Sequence, residues 1–96
     1  MECHGSIHHL QCIDNCHGRL WSAEDTFIEI EEGFKAKEPL PACPFCGGMA
    51  RPNILMFGDY SWEDERTDAQ RVRLGLWINR LEQEGAKLAI VEMGAG

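Results

Sequence analysis

The chain has 96 residues, 44% of them hydrophobic and 26% charged, with a formal net charge of −7. That length suits one small core and not two, and it hides only roughly 60–65% of the surface the unfolded chain exposes, so a metal or a partner is expected to add stability. The acidic balance argues against nonspecific nucleic-acid binding and against an anionic membrane surface, which both need Lys and Arg, and no apolar run reaches the ~20 residues of a bilayer crossing.

The opening residues, Met1-Glu2-Cys3-His4-Gly5, have no basic start followed by an apolar stretch. No secretory signal is expected, and a cytoplasmic location is. Residues 7–11, Ile-His-His-Leu-Gln, predict a short strand, with Arg19-Leu20-Trp21 as its return strand. His8 and His9 then point to opposite faces. Residues 22–42 predict irregular chain with a brief extended piece at Phe27, Ile28 and Ile30. Pro39 and Pro41 stop regular structure there. Glu29, Glu31 and Glu32 read as a solvated face, with docking of a basic tail as the alternative. Residues 49–57 predict another extended run, in which Pro52 marks an edge or a kink.

After a loop at 58–66, Thr67 predicts a helix N-cap with Gln70 as its capping-box partner. Leu74, Trp77, Ile78 and Leu81 fall at i, i+3, i+4 and i+7, the spacing of a core-facing stripe, broadened by Val72 and Leu76. Gly75 weakens this helix by up to ~1 kcal/mol, and Gly85 predicts its end. Lys87 to Glu92, followed by Met93-Gly94-Ala95-Gly96, has the pattern of a buried parallel strand running into a Gly-rich turn. Little else in the chain can pair with such a strand. The expectation is a chain that breaks off inside a larger fold, leaving Leu88–Val91 exposed and prone to self-association.

Five cysteines stand out. Cys12 and Cys16 form a C-x3-C pair, Cys43 and Cys46 a C-x2-C pair, and Cys3 stands apart. An odd count with no signal peptide argues against a secreted disulfide framework. Structural zinc is held tetrahedrally by four thiolates, two from each of two tight turns. Cys-Pro-Phe-Cys-Gly-Gly at 43–48 suits one such turn, because Pro44 stiffens it and Gly47 permits a positive φ; Gly18 offers the same freedom after the other. The four cysteines are therefore assigned to zinc. Two disulfides, four unrelated thiols, or His17 in place of one cysteine are the alternatives, and iron can substitute during overexpression. Structural zinc brings about 10–16 kcal/mol of apparent binding free energy, more than the usual net stability of a small domain, about 5–15 kcal/mol.

His4-Gly5-Ser6, the two cysteine pairs, Arg51-Pro52-Asn53-Ile54-Leu55-Met56-Phe57-Gly58-Asp59 and Val91-Glu92-Met93-Gly94-Ala95-Gly96 stand in the order found in sirtuins. The chain resembles the central-to-late section of a sirtuin, an NAD-dependent protein deacylase, over nearly all its length. Each motif alone is modest; order and spacing together are specific. The resemblance implies an α+β chain. Residues 1–57 would be a four-cysteine zinc ribbon with flanking strands. Residues 58–96 would be a loop, helix and strand of an incomplete Rossmann-like domain. It implies that His4 is the general base toward a ribose hydroxyl, a task suited to imidazole. Leu55, Phe57, Gly58 and Asp59 would line the acyl-lysine site and pair with the peptide as an added strand. Gly94, Ala95 and Gly96 would contact NAD. Partners would be an acylated protein or peptide, with no nucleic acid and no membrane.

Departures from the family pattern are the C-x3-C pair, Asp59 where Glu is usual, and Gly-Ala-Gly in place of hydroxyl-bearing Gly-Thr-Ser. The family's first Gly-rich NAD loop and its Gln-Asn-x-Asp segment are not among these residues. The 96 residues alone are thus expected to be inactive, with His4 a frayed terminal residue. A Cys3–His4 dyad is disfavoured, since neighbours in extended chain point apart. The rival reading is a free-standing zinc-ribbon interaction module without catalysis.

Overall fold

The expected strands around the first cysteine pair are present in the structure, a computed structural model that describes residues 1–94. Strand β1 spans Gly5–Cys12 and β2 spans Leu20–Ser22. They pair antiparallel with Leu10 opposite Trp21. Strand β3, Ala50–Ile54, pairs antiparallel with the other side of β1, so the order is β2-β1-β3. Pro52 therefore sits on an edge strand, where a missing N–H costs least. Between Ser6↔Asn53 and Leu10↔Pro52 the register slips. Residues 7–9 bulge away from β3 there, with His8 exposed and His9 half-buried. Burial, then Arg66, holds the His9 imidazole below its ordinary pKa, and Glu2 opposes them.

The long loop is less irregular than its sequence suggests. Residues 29–37 close on themselves: Lys37 N donates to Glu29 O, Glu31 N to Lys35 O, and Ile30 bridges Ala36. An exposed Lys37–Glu29 ion pair at 3.0 Å crosses the same hairpin.

Helix α1 spans Glu65–Gln83. It starts before the expected cap: Asp64 is the N-cap, and Thr67 lies inside the first turn, 1% exposed. The reason is tertiary. Thr67 Oγ1 donates to Glu2 O at 3.1 Å, and Gln70 exchanges two 2.7 Å hydrogen bonds with Glu2 instead of closing a capping box. Arg66 also pairs with the Glu2 carboxylate. These contacts hold that carboxyl below its usual pKa, Gln70 first and Arg66 next. The N-terminal residues are thus tied to α1, contrary to the fraying expected at His4. The helix ends as expected. Gly85 has φ +60, its N–H donates to Glu82 O, and Ala86 N–H donates to Leu81 O. That is a Schellman close, which requires a left-handed residue just past the cap.

Two expectations fail for one physical cause. The stripe on α1 is not core: Trp77 is 48% exposed, with Leu74 and Ile78 close behind. The run after the helix forms no strand, although Leu88, Ile90 and Val91 are exposed as expected. A helix face and a parallel strand both need a covering surface, and the described residues supply none. The radius of gyration reflects this: 17.6 Å, against roughly 12–13 Å for a compact chain of this length.

Candidate metal centre and adjoining pocket

The far end of the β1–β3 pair carries the first ligand of each turn. Cys12 closes β1, and Cys43 lies in the turn that leads through Met49 into β3. Both are buried; Cys16 and Cys46 are on the open side. The turns are fixed by backbone. Asn15 N donates to Cys12 O, Cys43 N to Gly48 O and Gly47 N to Cys43 O. Asn15, Gly18 and Gly47 take positive φ, as the sequence required of the two glycines. Ile13 N donates to Met49 O and so bridges the two turns.

The four sulfurs lie within 4.8 Å of one another, with Cys12–Cys46 and Cys16–Cys43 both at 3.6 Å. A zinc–sulfur bond of ~2.3 Å puts tetrahedral sulfurs about 3.8 Å apart, so the donor set fits zinc. The cluster can hold that ion with all four positions filled. Gly48 N–H points at Cys46 Sγ, 3.4 Å away, the kind of donor that supports a thiolate.

Without metal, Cys12 shifts one way and Cys16 and Cys46 the other. The Cys16 backbone N–H brings Cys12 down to about 7, against burial. Cys16 is pushed above the ordinary thiol range by desolvation and then by the neighbouring sulfurs Cys46, Cys43 and Cys12. For Cys46 the Gly48 N–H favours thiolate, but Cys12, desolvation and Cys43 outweigh it and the pKa rises. Metal binding must therefore release protons.

At the other end of the sheet, a pocket of about 660 Å³ is lined by His4 and the run 54–60. It gathers every residue assigned from sequence to catalysis or acyl-lysine binding: His4, Leu55, Phe57, Gly58 and Asp59. Leu55 N donates to His4 O at 2.9 Å, which ties the two sides together. Phe57 and Tyr60 are fully exposed, and Gly58 has φ +69. Cys3 and His4 do not point apart: a turn brings Cys3 Sγ to 3.9 Å from His4 Nδ1.

The Asp59 carboxylate is already engaged. Arg51 grips it with two nitrogens at 2.7 and 2.8 Å, and Ser61 Oγ donates at 3.3 Å. The Asp59 side chain is 9% exposed. Arg51 is the leading cause that keeps its carboxyl below the usual range, with burial opposing. Arg51, Met56 and Tyr60 were not singled out from sequence. An ion pair eight residues apart across a turn has no periodic signature, although the run of motif residues from Arg51 to Asp59 could have pointed to it.

Of the three residues assigned to NAD, Gly94 has φ +65 and open space around it. Ala95 and Gly96 lie outside the described residues. His4, which lines the pocket, and Gly94 are the described residues that the sequence assigns to chemistry with NAD. No helix among them is long and apolar enough to cross a membrane.

A family model described as the Sir2 family matches residues 1–87. The NAD-dependent protein deacylase of Pyrococcus furiosus is 35% identical over 69 residues, 72% of this chain and 26% of that protein. NAD-dependent protein deacylase 1 of Pseudomonas aeruginosa is 39% identical over 59 residues, 62% of this chain and 22% of that protein. The NAD-dependent protein deacetylase SIR2rp1 of Leishmania major is 34% identical over 59 residues, 62% of this chain and 14% of that protein. The chain thus spans about a quarter or less of the length of these curated relatives. The comparison with solved structures found no match.

Proposed function

The chain belongs to the Sir2 family, and from that premise we propose that it is the zinc-bearing portion of an NAD-dependent protein lysine deacylase. The carrying observation is the convergence of His4 with residues 54–60 around one pocket. The activity for which the relatives are named, NAD-dependent protein deacylation, supports the reaction class.

In this reading Cys12, Cys16, Cys43 and Cys46 hold a structural zinc ion. It has no open position and takes no part in the chemistry. Leu55 and Phe57 flank the acyl-lysine chain, and Gly58 lets its backbone approach. The exposed segment after β3 accepts the peptide as an added strand. Asp59, held by Arg51, shapes this wall rather than meeting the substrate. His4, exposed at the rim, accepts a proton from a hydroxyl during acyl transfer. NAD, when bound, would supply the carbon that receives the acyl oxygen as nicotinamide leaves, and Gly94, Ala95 and Gly96 are the residues assigned to hold it. Residues 1–57 act as the zinc-ribbon unit, and 58–96 belong to a Rossmann-like unit. The exposed faces of α1 and Leu88–Val91 favour self-association of the isolated chain. Five free cysteines suit the reducing cytoplasm.

The test is a titration of the zinc-loaded chain with an acetyl-lysine peptide and its unacetylated twin, followed by amide NMR shifts. The acetylated peptide alone should perturb His4 and residues 54–60. Equal perturbation by both peptides would sink the assignment. The 96 residues by themselves should release no nicotinamide from NAD.

A further inference from the structure

The chain that lines the His4 pocket as far as Tyr60 runs directly on into residues 61–63, and that following stretch is fastened by two side-chain amides. Gln11 and Asn53 are both 0% exposed, and with Thr67 they are the largest fully buried side chains. Gln11 Nε2 donates to Ser61 O at 2.8 Å. Gln11 Oε1 accepts from Glu63 N at 3.3 Å and from Asn53 Nδ2 at 2.9 Å. Asn53 Nδ2 also donates to Glu63 O at 2.9 Å. The bonds to this stretch thus fall on backbone at Ser61 and Glu63, so they set where the chain leaves the pocket whatever side chains it carries. The near end of the wall is held by Arg51, through Asp59 and through Ile54 O.

Gln11 immediately precedes Cys12. A metal that locks the two cysteine turns also fixes the end of β1, and with it the Gln11 side chain. Gln11 engages both its amide nitrogen and its amide oxygen, and Asn53 engages its nitrogen twice while its Oδ1 has no partner; buried amides bonded in this way resist other geometries, because moving them leaves further polar groups unpaired. Resting on the reading of the pocket given above, we infer that Gln11 and Asn53 are positioning residues for its wall, and that Gln11 makes the order of residues 61–63 depend on the metal centre.

The experiment is hydrogen exchange on the zinc-loaded chain and on Gln11→Met, which keeps the volume but loses the amide. Metal content, and the thiolate absorption of the cobalt form, report the centre independently. The Gln11→Met chain should bind one equivalent of metal with an unchanged cobalt spectrum. Its Glu63 amide should exchange about tenfold faster, the scale of one buried hydrogen bond, and the amides near it should follow. Unchanged exchange at Glu63 in metal-loaded Gln11→Met overturns the inference. Should that variant fail to take up metal, the unsubstituted chain decides. Its Glu63 amide should exchange with the slow class of the β1–β3 ladder, and exchange as fast as exposed Phe57 overturns the inference. Neither readout depends on acyl-lysine binding. A loosened wall in a chain that ignores the acetylated peptide therefore leaves this inference standing and removes only the function assigned to the pocket.

Discussion

Removing the metal should cost this chain its sheet. Among the described residues the buried hydrophobics are Leu10, Cys12, Cys43 and Ala50, and two of those four are metal ligands. Burying Leu10 contributes about 1.5–3 kcal/mol, and Ala50 adds about 0.8 kcal/mol for its single methyl group. Against that stands roughly 1–2 kcal/mol of backbone entropy for every residue ordered. Structural zinc, at about 10–16 kcal/mol, is the largest favourable contribution in view. Chelation under reducing conditions should therefore abolish the cooperative thermal transition, together with the near-UV dichroism of Trp21 and Trp62. Some far-UV helix signal should survive, because α1 takes almost nothing from the sheet beyond its first turn and its 19 residues exceed the ~12–15 below which isolated helices are marginal. Cys43→Ser should reproduce the chelated state at neutral pH. A metal-free chain, verified by elemental analysis, that still melts cooperatively within about 5 °C of the loaded one, a difference worth about 1 kcal/mol, would refute this reasoning.

Two further outcomes test the pocket wall and the glycine beside His4. The Asp59 carboxyl sits below its ordinary value because Arg51 grips it. A depressed folded pKa stabilises the fold fully above the unfolded value, near 3.9, and that contribution is lost as pH falls through the lowered one. The wall should stay ordered down to about pH 4 and loosen below it; Arg51→Met should return the Asp59 titration, read from its carboxyl carbon shift, toward the ordinary range. An unmoved Asp59 in that variant would show that Arg51 is not the cause. At Gly5, φ is +83 and an added Cβ would be driven into the Asn53 carbonyl oxygen, whereas Gly47, at φ +75, has nothing within 4 Å. Gly47→Ala should lose about 1 kcal/mol for its backbone conformation alone. Gly5→Ala should lose at least twice that, because the β1–β3 pairing has to shift. Equal denaturation midpoints for the two variants would contradict the close approach.

The parts of the fold legible in the sequence are those that local chemistry specifies. Turn glycines and paired cysteines announce the metal centre, and Gly85 announces the end of α1. Pro52 marks an edge. The start of α1 was misread because Thr67-x-x-Gln70 has the form of a capping box, while Glu2, more than sixty residues away in sequence, claims both side chains. Pattern reading also put Trp77 in a core. The stripe is real, but the surface that would cover it is not supplied by these residues. The pocket residues were legible only through family resemblance: nothing in the spacing of His4 and Phe57 says that Leu55 N will bond to His4 O. The buried role of Gln11 and Asn53 left no trace in the sequence. A polar residue in a strand usually signals a solvent face, and here both face inward.

That inversion bears on how the region works. A metal held by the four cysteines would be the largest favourable contribution, and the buried amides supply little net energy but much geometry, since a hydrogen bond exchanged for water gains only about 0.5–1.5 kcal/mol while an unmade one costs more. Energy and geometry are therefore located in different residues. Losing a cysteine should lose the fold, pocket included. Losing Gln11 should leave the metal centre and most of the stability in place while residues 61–63, next to the wall, drift. Substitutions near β1 then separate into two classes by what they disturb first, metal affinity or pocket shape, and Gln11, next to Cys12 and bonded to Ser61, marks the boundary between them.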